Sequence, residues 1–233
     1  MTEAEGLARI LAADRRELSG LGVHHFRKPG GTEPAVVLLA CGPARAVLKD
    51  YGGQRGWFAR VLGPLLIRRE AQALRQLQGI RGIPALLRRI DRYGVIMEYV
   101  PAQPWKRVQP GAPAFERLDS LLRSMHARGV AHCDLRSPSN ILVDDREQPY
   151  IVDFVARVRR GGRWNVVWNW IFARFCVADR NAMAKLKVRF APELATAADR
   201  LHARHRGWPT RFARGVGSRI RDFTRLFVSR GPG

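Results

Sequence analysis

The chain opens on an amphipathic pattern. In MTEAEGLARILAADRREL, Leu7, Ile10, Leu11 and Leu18 recur near one helical face, which predicts an N-terminal helix. Short apolar runs rich in β-forming residues follow at 22–26, 35–40 and 45–48, separated by Lys28-Pro29-Gly30-Gly31-Thr32 and Cys41-Gly42-Pro43. Gly and Pro between such runs predict antiparallel hairpins, because these residues supply the turn backbone that a strand cannot. The period then lengthens. Over 65–78, Leu66, Ala73, Leu74 and Leu77 make a helical stripe beside Glu70, before strand patterns return at 85–90 and 94–100, the latter reading GVIMEYV.

Prolines at 101, 104, 110 and 113 mark a connector. Beyond it, Phe115, Leu118, Leu121, Leu122 and Met125 stand at helical spacing over 114–128. A polar loop leads to strands at 140–143 and 150–154 around a turn at Asp144-Asp145. This order lacks alternating βα units and internal repeats, so it predicts an α+β class. The first unit, 1–100, would be built on a small antiparallel sheet, and the second, 101–233, would be mainly helical. A chain of 233 residues suits one large domain or two small lobes.

Charge alters the picture most. The net charge is +21, with 23 Lys and Arg against 16 Asp and Glu up to Val155, and 18 against 4 beyond it. A field of that sign attracts polyanions such as anionic lipid headgroups, phosphorylated glycans or nucleic acid. Cys41, Cys133 and Cys176 have no CxxC spacing, which argues against a structural metal or a disulfide framework. The charged N-terminus does not read as a signal peptide, and the apolar run 166–173, broken by Asn169, is too short to span a bilayer. A cytoplasmic location is expected, with possible peripheral attachment at the inner membrane face. Two segments fit a surface role: the aromatic, Arg-flanked stretch 163–175, and 208–230, where Phe212, Val216, Ile220, Phe223 and Phe227 lie among Arg211, Arg214, Arg219, Arg221 and Arg225. The aromatics of 163–175 read first as core packing, and one helix with two faces could do both.

The chemistry concentrates in MHARGVAHCDLRSPSNILVDD followed by YIVDF. Here His126, Gly129-Val130, His132-Cys133-Asp134-Leu135, Asn140-Ile141-Leu142 and Asp153-Phe154 stand in order between a helix and two short strands. Upstream, Ala46-Val47-Leu48-Lys49 ends a strand, and Glu70 lies 21 residues on, within a helix. This set resembles the protein-kinase-like superfamily, with its catalytic loop, metal-binding DFG and VAIK lysine. Within that superfamily it is similar to the bacterial lipopolysaccharide-kinase and RIO-type branches, and the resemblance covers about 35–154.

The resemblance implies ATP and Mg²⁺ as cofactors and a role for each matched residue. Asp134 would be the catalytic base and Arg136 would face the transferred phosphate. Asn140 and Asp153 would hold the metal. Lys49, paired with Glu70, would meet the ATP phosphates, and Met97 to Val100, including Glu98, would offer main chain to the adenine. Several positions depart from the family pattern. No G-x-G-x-x-G precedes Lys49, and Lys28-Pro29-Gly30-Gly31-Thr32 is the nearest substitute. Asn140 comes six residues after Asp134, one more than the kinase pattern has. Cys133 stands for the arginine of HRD, which argues against switching by activation-loop phosphorylation, and Val155 for the glycine of DFG. The implied acceptor is a sugar hydroxyl on an anionic glycolipid, a lipopolysaccharide core. The alternatives are a RIO-like protein serine/threonine kinase or ATPase, or a pseudokinase that binds without transfer. Nucleic acid is a less favoured partner, since nothing beyond charge points to it.

Overall fold

The amphipathic N-terminus folds as two helices rather than one, in a computed structural model that describes residues 1–30, 32–54 and 56–204. Helix α1 (Glu3–Ala12) ends at Ala13, and α2 (Arg15–Gly20) restarts behind Asp14. The break is chemical. The Asp14 carboxylate accepts from the amides of Arg16 and Glu17, while the Glu17 carboxylate takes the Asp14 amide at 2.7 Å. This capping box satisfies the donors of a new helix start, so one amphipathic run becomes two.

The first of two compact units comprises Met1–Gln78 and Pro84–Tyr99 among the described residues. Its sheet runs β1 (Gly22–Arg27), β2 (Ala35–Cys41), β3 (Ala44–Asp50), β5 (Gly94–Glu98) and β4 (Leu86–Arg89) in spatial order, every neighbouring pair antiparallel. Between β3 and β4 lie α3 (Trp57–Val61), which the pattern did not foretell, and α4 (Gly63–Leu77), which starts two residues before the predicted helix. Ala44, Ala46 and Leu48 of β3 join Leu39, Ile96, Ile10 and Leu18 in the core under α1. By the two-residue period of a strand, Val47 and Lys49 face the other way. Arg15 ties α2 to the sheet margin through Asp50 and Asp91.

The second unit holds Gly79–Ile83 and the described chain from Val100 onward. The proline-rich connector is partly ordered. Its β6 (Gln103–Pro104) pairs with β8 (Ile141–Val143), and a single helical turn, Trp105–Arg107, buries Trp105 edge-on against Phe115 of α5 (Ala112–Ala127). After α5 come β7 (Val130–Ala131), β8, its hairpin partner β9 (Pro149–Ile151), and β10 (Val158–Arg159), which pairs back onto β7. The longest element is α6 (Val166–Phe190), 25 residues that begin at the Asn165 cap and stop before Pro192. Proline cannot donate the next helical hydrogen bond and restricts the residue before it, which explains the stop. Helix α7 (Ala197–Arg204) closes the described chain. The basic segment 208–230 lies outside the described residues. Among those described, no helix is long and apolar enough to cross a membrane, and none of the three cysteines forms a disulfide.

Gly6 shows how tightly α1 seats on its hairpin. A Cβ there would stand 2.3 Å from the Cys41 carbonyl oxygen and 2.9 Å from Ala44 Cβ, whereas one at Gly20 of α2 would meet nothing within 4 Å. Helix propensity favours Ala over Gly by about 1 kcal/mol at both sites. Gly20→Ala is therefore expected to be neutral or stabilising, and Gly6→Ala to cost about 1–3 kcal/mol through overpacking. Urea denaturation of the two variants checks this, and equal stabilities would refute the seating.

Candidate active site

Lys49 leaves β3 on the face opposite the α1 core, and its ammonium lies 2.7 Å from the Glu70 carboxylate on α4. Both residues are almost wholly buried, at 5% and 1% exposure. Glu70 sits in the helix's own apolar stripe beside Ile67, Ala71 and Leu74, so packing fixes its place. Burying two charges costs several kcal/mol per ion before their attraction offsets it, and an apolar pair would often be as stable. Such a pair is poorly explained by stability alone.

The loop 28–34 joins β1 to β2, and its return strand places Val36 opposite Lys49. Gly30 and Glu33 exchange a pair of backbone hydrogen bonds, and Glu33 lies three residues before Val36, the partner of Lys49. The sequence lacks a standard glycine loop, yet this turn occupies the hairpin next to the lysine strand. Glu98, at the end of β5, spends its carboxylate on the Ala85 amide at 2.9 Å, and its own amide donates to the Ala85 carbonyl. Val100, the first residue of the second unit's longer stretch, is buried, and its carbonyl accepts from the Ala102 amide.

In the second unit the polar loop after β7 folds around His132. This fully buried ring meets the Val152 carbonyl through Nε2 at 3.0 Å, and its Nδ1 lies 3.2 Å from the Asp134 amide. A carbonyl can only accept and an amide can only donate, so Nε2 is placed to donate and Nδ1 to accept. It stacks edge-on against Phe154 at 4.9 Å and so joins the loop to the segment carrying Asp153.

The six-residue spacing from Asp134 to Asn140 is absorbed locally. The Ser137 amide donates to the Asp134 carbonyl, and the Asn140 amide donates to the Ser137 carbonyl, giving two successive turns through Ser-Pro-Ser. Asn140 arrives with its side-chain nitrogen 3.0 Å from both the Asp134 carbonyl and its carboxylate. Its backbone carbonyl accepts from the Val152 amide, so Asn140 and Asp153 emerge at the same end of the β8–β9 hairpin. Arg136 is exposed, two residues past Asp134, and close enough to pull on its charge.

Asp134 keeps solvent access, yet the loop around it withdraws enough water to push its carboxyl above the ordinary range, and the Asp153 charge adds to the shift. His132, the Asn140 hydrogen bond and Arg136 pull it back only partly. Cys133, next to Asp134 in the chain, and Asp153 have left-handed backbones with φ of 71° and 66°, which β-carbon-bearing residues adopt only when their surroundings enforce it.

At Cys133 the enforcement comes from a residue that the motif reading missed. Asp179 on α6, 1% exposed, accepts from the His132 amide at 2.7 Å, the Cys133 amide at 2.8 Å and His126 Nε2 at 3.0 Å. A usable signal was present, since Asp179 is the first acidic residue after Asp153 in the sequence. Beside it, burial, with the Asp179 charge second, pushes the Cys176 thiol up to about 12, which leaves that sulfur protonated and unreactive.

Among the described residues no group of three His, Cys, Asp or Glu could hold a metal unaided. Asn140 and Asp153 present hard oxygen donors, which fit Mg²⁺, an ion that completes its shell with phosphate oxygens and water.

Because folding raises the Asp134 pKa above its ordinary 3.8, the folded state binds that proton more tightly than the unfolded chain. The stability so gained is complete below the ordinary value and is lost as pH rises through the folded one. Asp134→Asn removes the charge at every pH. Without nucleotide it should melt above the wild type near pH ~7, the gap closing as pH falls towards ~4. Thermal melts across that range check this, and a variant less stable than wild type near neutrality would contradict it.

No protein-family model and no curated protein matches the sequence. The structure is similar to the crystal structure of the Rio2 kinase from Chaetomium thermophilum, with a TM-score of 0.57 and 18% identity over 82% of this chain. The chain spans 64% of that structure's length. It is also similar to the Rio2 kinase-ADP/Mg2+-phosphoaspartate complex from the same organism, with a TM-score of 0.54 and 18% identity, covering 92% of this chain and 71% of that one. The antiparallel sheet with its Lys49 strand, the α5 loop-and-hairpin unit and these likenesses agree: the chain has an α+β, protein-kinase-like fold resembling that of the RIO-type kinases.

Proposed function

We propose that the chain is an ATP-dependent phosphotransferase that moves the γ-phosphate of ATP to a hydroxyl. The observation that carries this reading is the convergence of Asp134, Asn140 and the Asp153 segment around His132, with the Asn140 amide on Asp134 despite the added residue. Asp134 accepts the hydroxyl proton as the new O–P bond forms and the bond to ADP breaks. Its raised pKa makes it a better proton acceptor than an ordinary aspartate. Arg136 faces the transferred phosphate, and Lys49, oriented by Glu70, meets the remaining phosphates. Main chain at Glu98 and Val100 meets the adenine. Mg²⁺, held by Asn140 and Asp153, would supply positive charge against the phosphates. Lys49, Glu70, Asp134, Asn140 and Asp153 are all present, which weighs against a pseudokinase.

The acceptor we favour is a sugar hydroxyl of an anionic glycolipid, a lipopolysaccharide core. The Arg-rich last third of the chain and the exposed tryptophans at the start of α6 support it. The fold likeness to Rio2 kinase favours a second reading, a protein serine/threonine kinase or ATPase. Incubation with γ-labelled ATP and separate glycolipid, protein and RNA fractions distinguishes them. Label is expected in the glycolipid. Asp134→Asn should lower transfer by about 10²–10⁴-fold while leaving nucleotide affinity nearly unchanged. Undiminished transfer by that variant would refute the assignment, and label confined to protein would favour the second reading.

A further inference from the structure

Helix α6 buries one side and leaves an apolar surface on the other. At 3.6 residues per turn, Phe172, Phe175, Cys176 and Asp179 share the buried side, and Val166, Val167, Trp170 and Arg174 point away from it. Trp164 is 84% exposed, Val166 73%, Val167 72% and Trp170 58%. An Arg guanidinium stacks on each of the two indoles, Arg163 on Trp164 at 5.0 Å and Arg174 on Trp170 at 5.9 Å. Exposed aliphatic and indole groups in one patch are costly in water and ordinarily mark a binding surface.

The patch is held in place. Asn169 takes the Gly161 amide at 3.0 Å and donates to the Gly162 carbonyl at 3.0 Å, while the Trp168 indole donates to the Arg159 carbonyl at 2.9 Å. These bonds clamp the 159–165 turn onto the first turns of the helix. Charge identifies the occupant. From Phe154 to Ala178 there is no acidic residue, and Arg159, Arg160, Arg163 and Arg174 are all exposed. A second copy of this surface, or the Arg-rich 208–230 segment, would be repelled. Valines offer nothing for a nucleobase to stack on, but they suit an acyl-chain boundary, where indoles and arginines together mark the interfacial zone.

We propose that Trp164, Val166, Val167 and Trp170 form a wedge that inserts into the interface of an anionic bilayer, with Arg159, Arg160, Arg163 and Arg174 on the headgroups. The same helix carries Asp179, 13 residues and about 20 Å further along, so the wedge and the anchor of the Asp134 loop are parts of one rigid element. This gives the glycolipid reading a surface on which acceptor and enzyme meet, but the docking itself requires no nucleotide and is tested without it.

The test is co-sedimentation of the full chain with phosphatidylglycerol/phosphatidylcholine vesicles, without ATP, together with quenching of Trp fluorescence by lipids brominated on the acyl chains. Wild type is expected to bind and be quenched, and pure phosphatidylcholine to bind it far less. Trp164→Ser/Trp170→Ser and Val166→Ser/Val167→Ser should each melt as wild type does and lose about tenfold or more in vesicle affinity. Absence of vesicle binding at low salt would overturn the proposal. So would binding that both double variants retain, which would assign it to charge elsewhere. Binding to RNA or to an acidic protein that depends on these four side chains, with vesicles ignored, would also overturn it. Failure of γ-phosphate transfer would bear on the catalytic reading alone.

Discussion

The Asp179 carboxylate meets three donors in buried surroundings: the amides of His132 and Cys133 and the ring of His126. The backbone there turns left-handed at Cys133, so its amides cannot continue the β7 ladder. A buried amide without a partner costs about 1–3 kcal/mol, and one carboxylate removes two such costs while also fixing the end of α5. Everything at the proposed catalytic centre hangs from that bend. His132 turns in to hold the Val152 carbonyl, Asp134 is presented from the loop, and Asn140 closes back on it. The first unit rests on a different constraint. Lys49 and Glu70 are buried together, and removing either partner of such a buried ion pair costs about 3–5 kcal/mol.

Most of the sheet was legible because its strands alternate and its turns are written in Gly and Pro. β2 and β3 match the sequence reading to within two residues, and the helix carrying Glu70 was seen from its stripe. The N-terminal split was also encoded, since Asp14 and Glu17 spell a capping box within the amphipathic run. α3 escaped because five residues are too few to establish a period. α6 was hard to assign because its first turns are apolar on both sides: one face packs against the unit and the other meets solvent, which hides the periodicity that marks an ordinary surface helix.

Lys49, Glu70, Asp134, Asn140 and Asp153 were named from their resemblance to a kinase pattern, and the structure pairs Lys49 with Glu70 in the first unit and Asn140 with Asp134 in the second. The extra residue before Asn140 could not be resolved from spacing alone. Whether Ser-Pro-Ser adds a displacement or a turn depends on hydrogen bonds among 134, 137 and 140. Asp179 stayed hidden because it contacts main chain 46 and 47 residues away, and a backbone amide leaves no trace in residue identity. Its place as the lone acid in a basic, apolar stretch was the available clue.

The buried Asp179 carboxylate holds the 132–134 backbone on which the proposed phosphoryl transfer depends. Asp179→Asn tests it most directly, because the amide keeps the size and can still accept, but it adds a donor towards donors. Hydrogen exchange at the His132 and Cys133 amides should be compared between wild type and variant, alongside γ-phosphate transfer. The account predicts faster exchange at those two amides, an unchanged first unit and a loss of transfer of about 100-fold or more. Wild-type exchange together with wild-type transfer would contradict it.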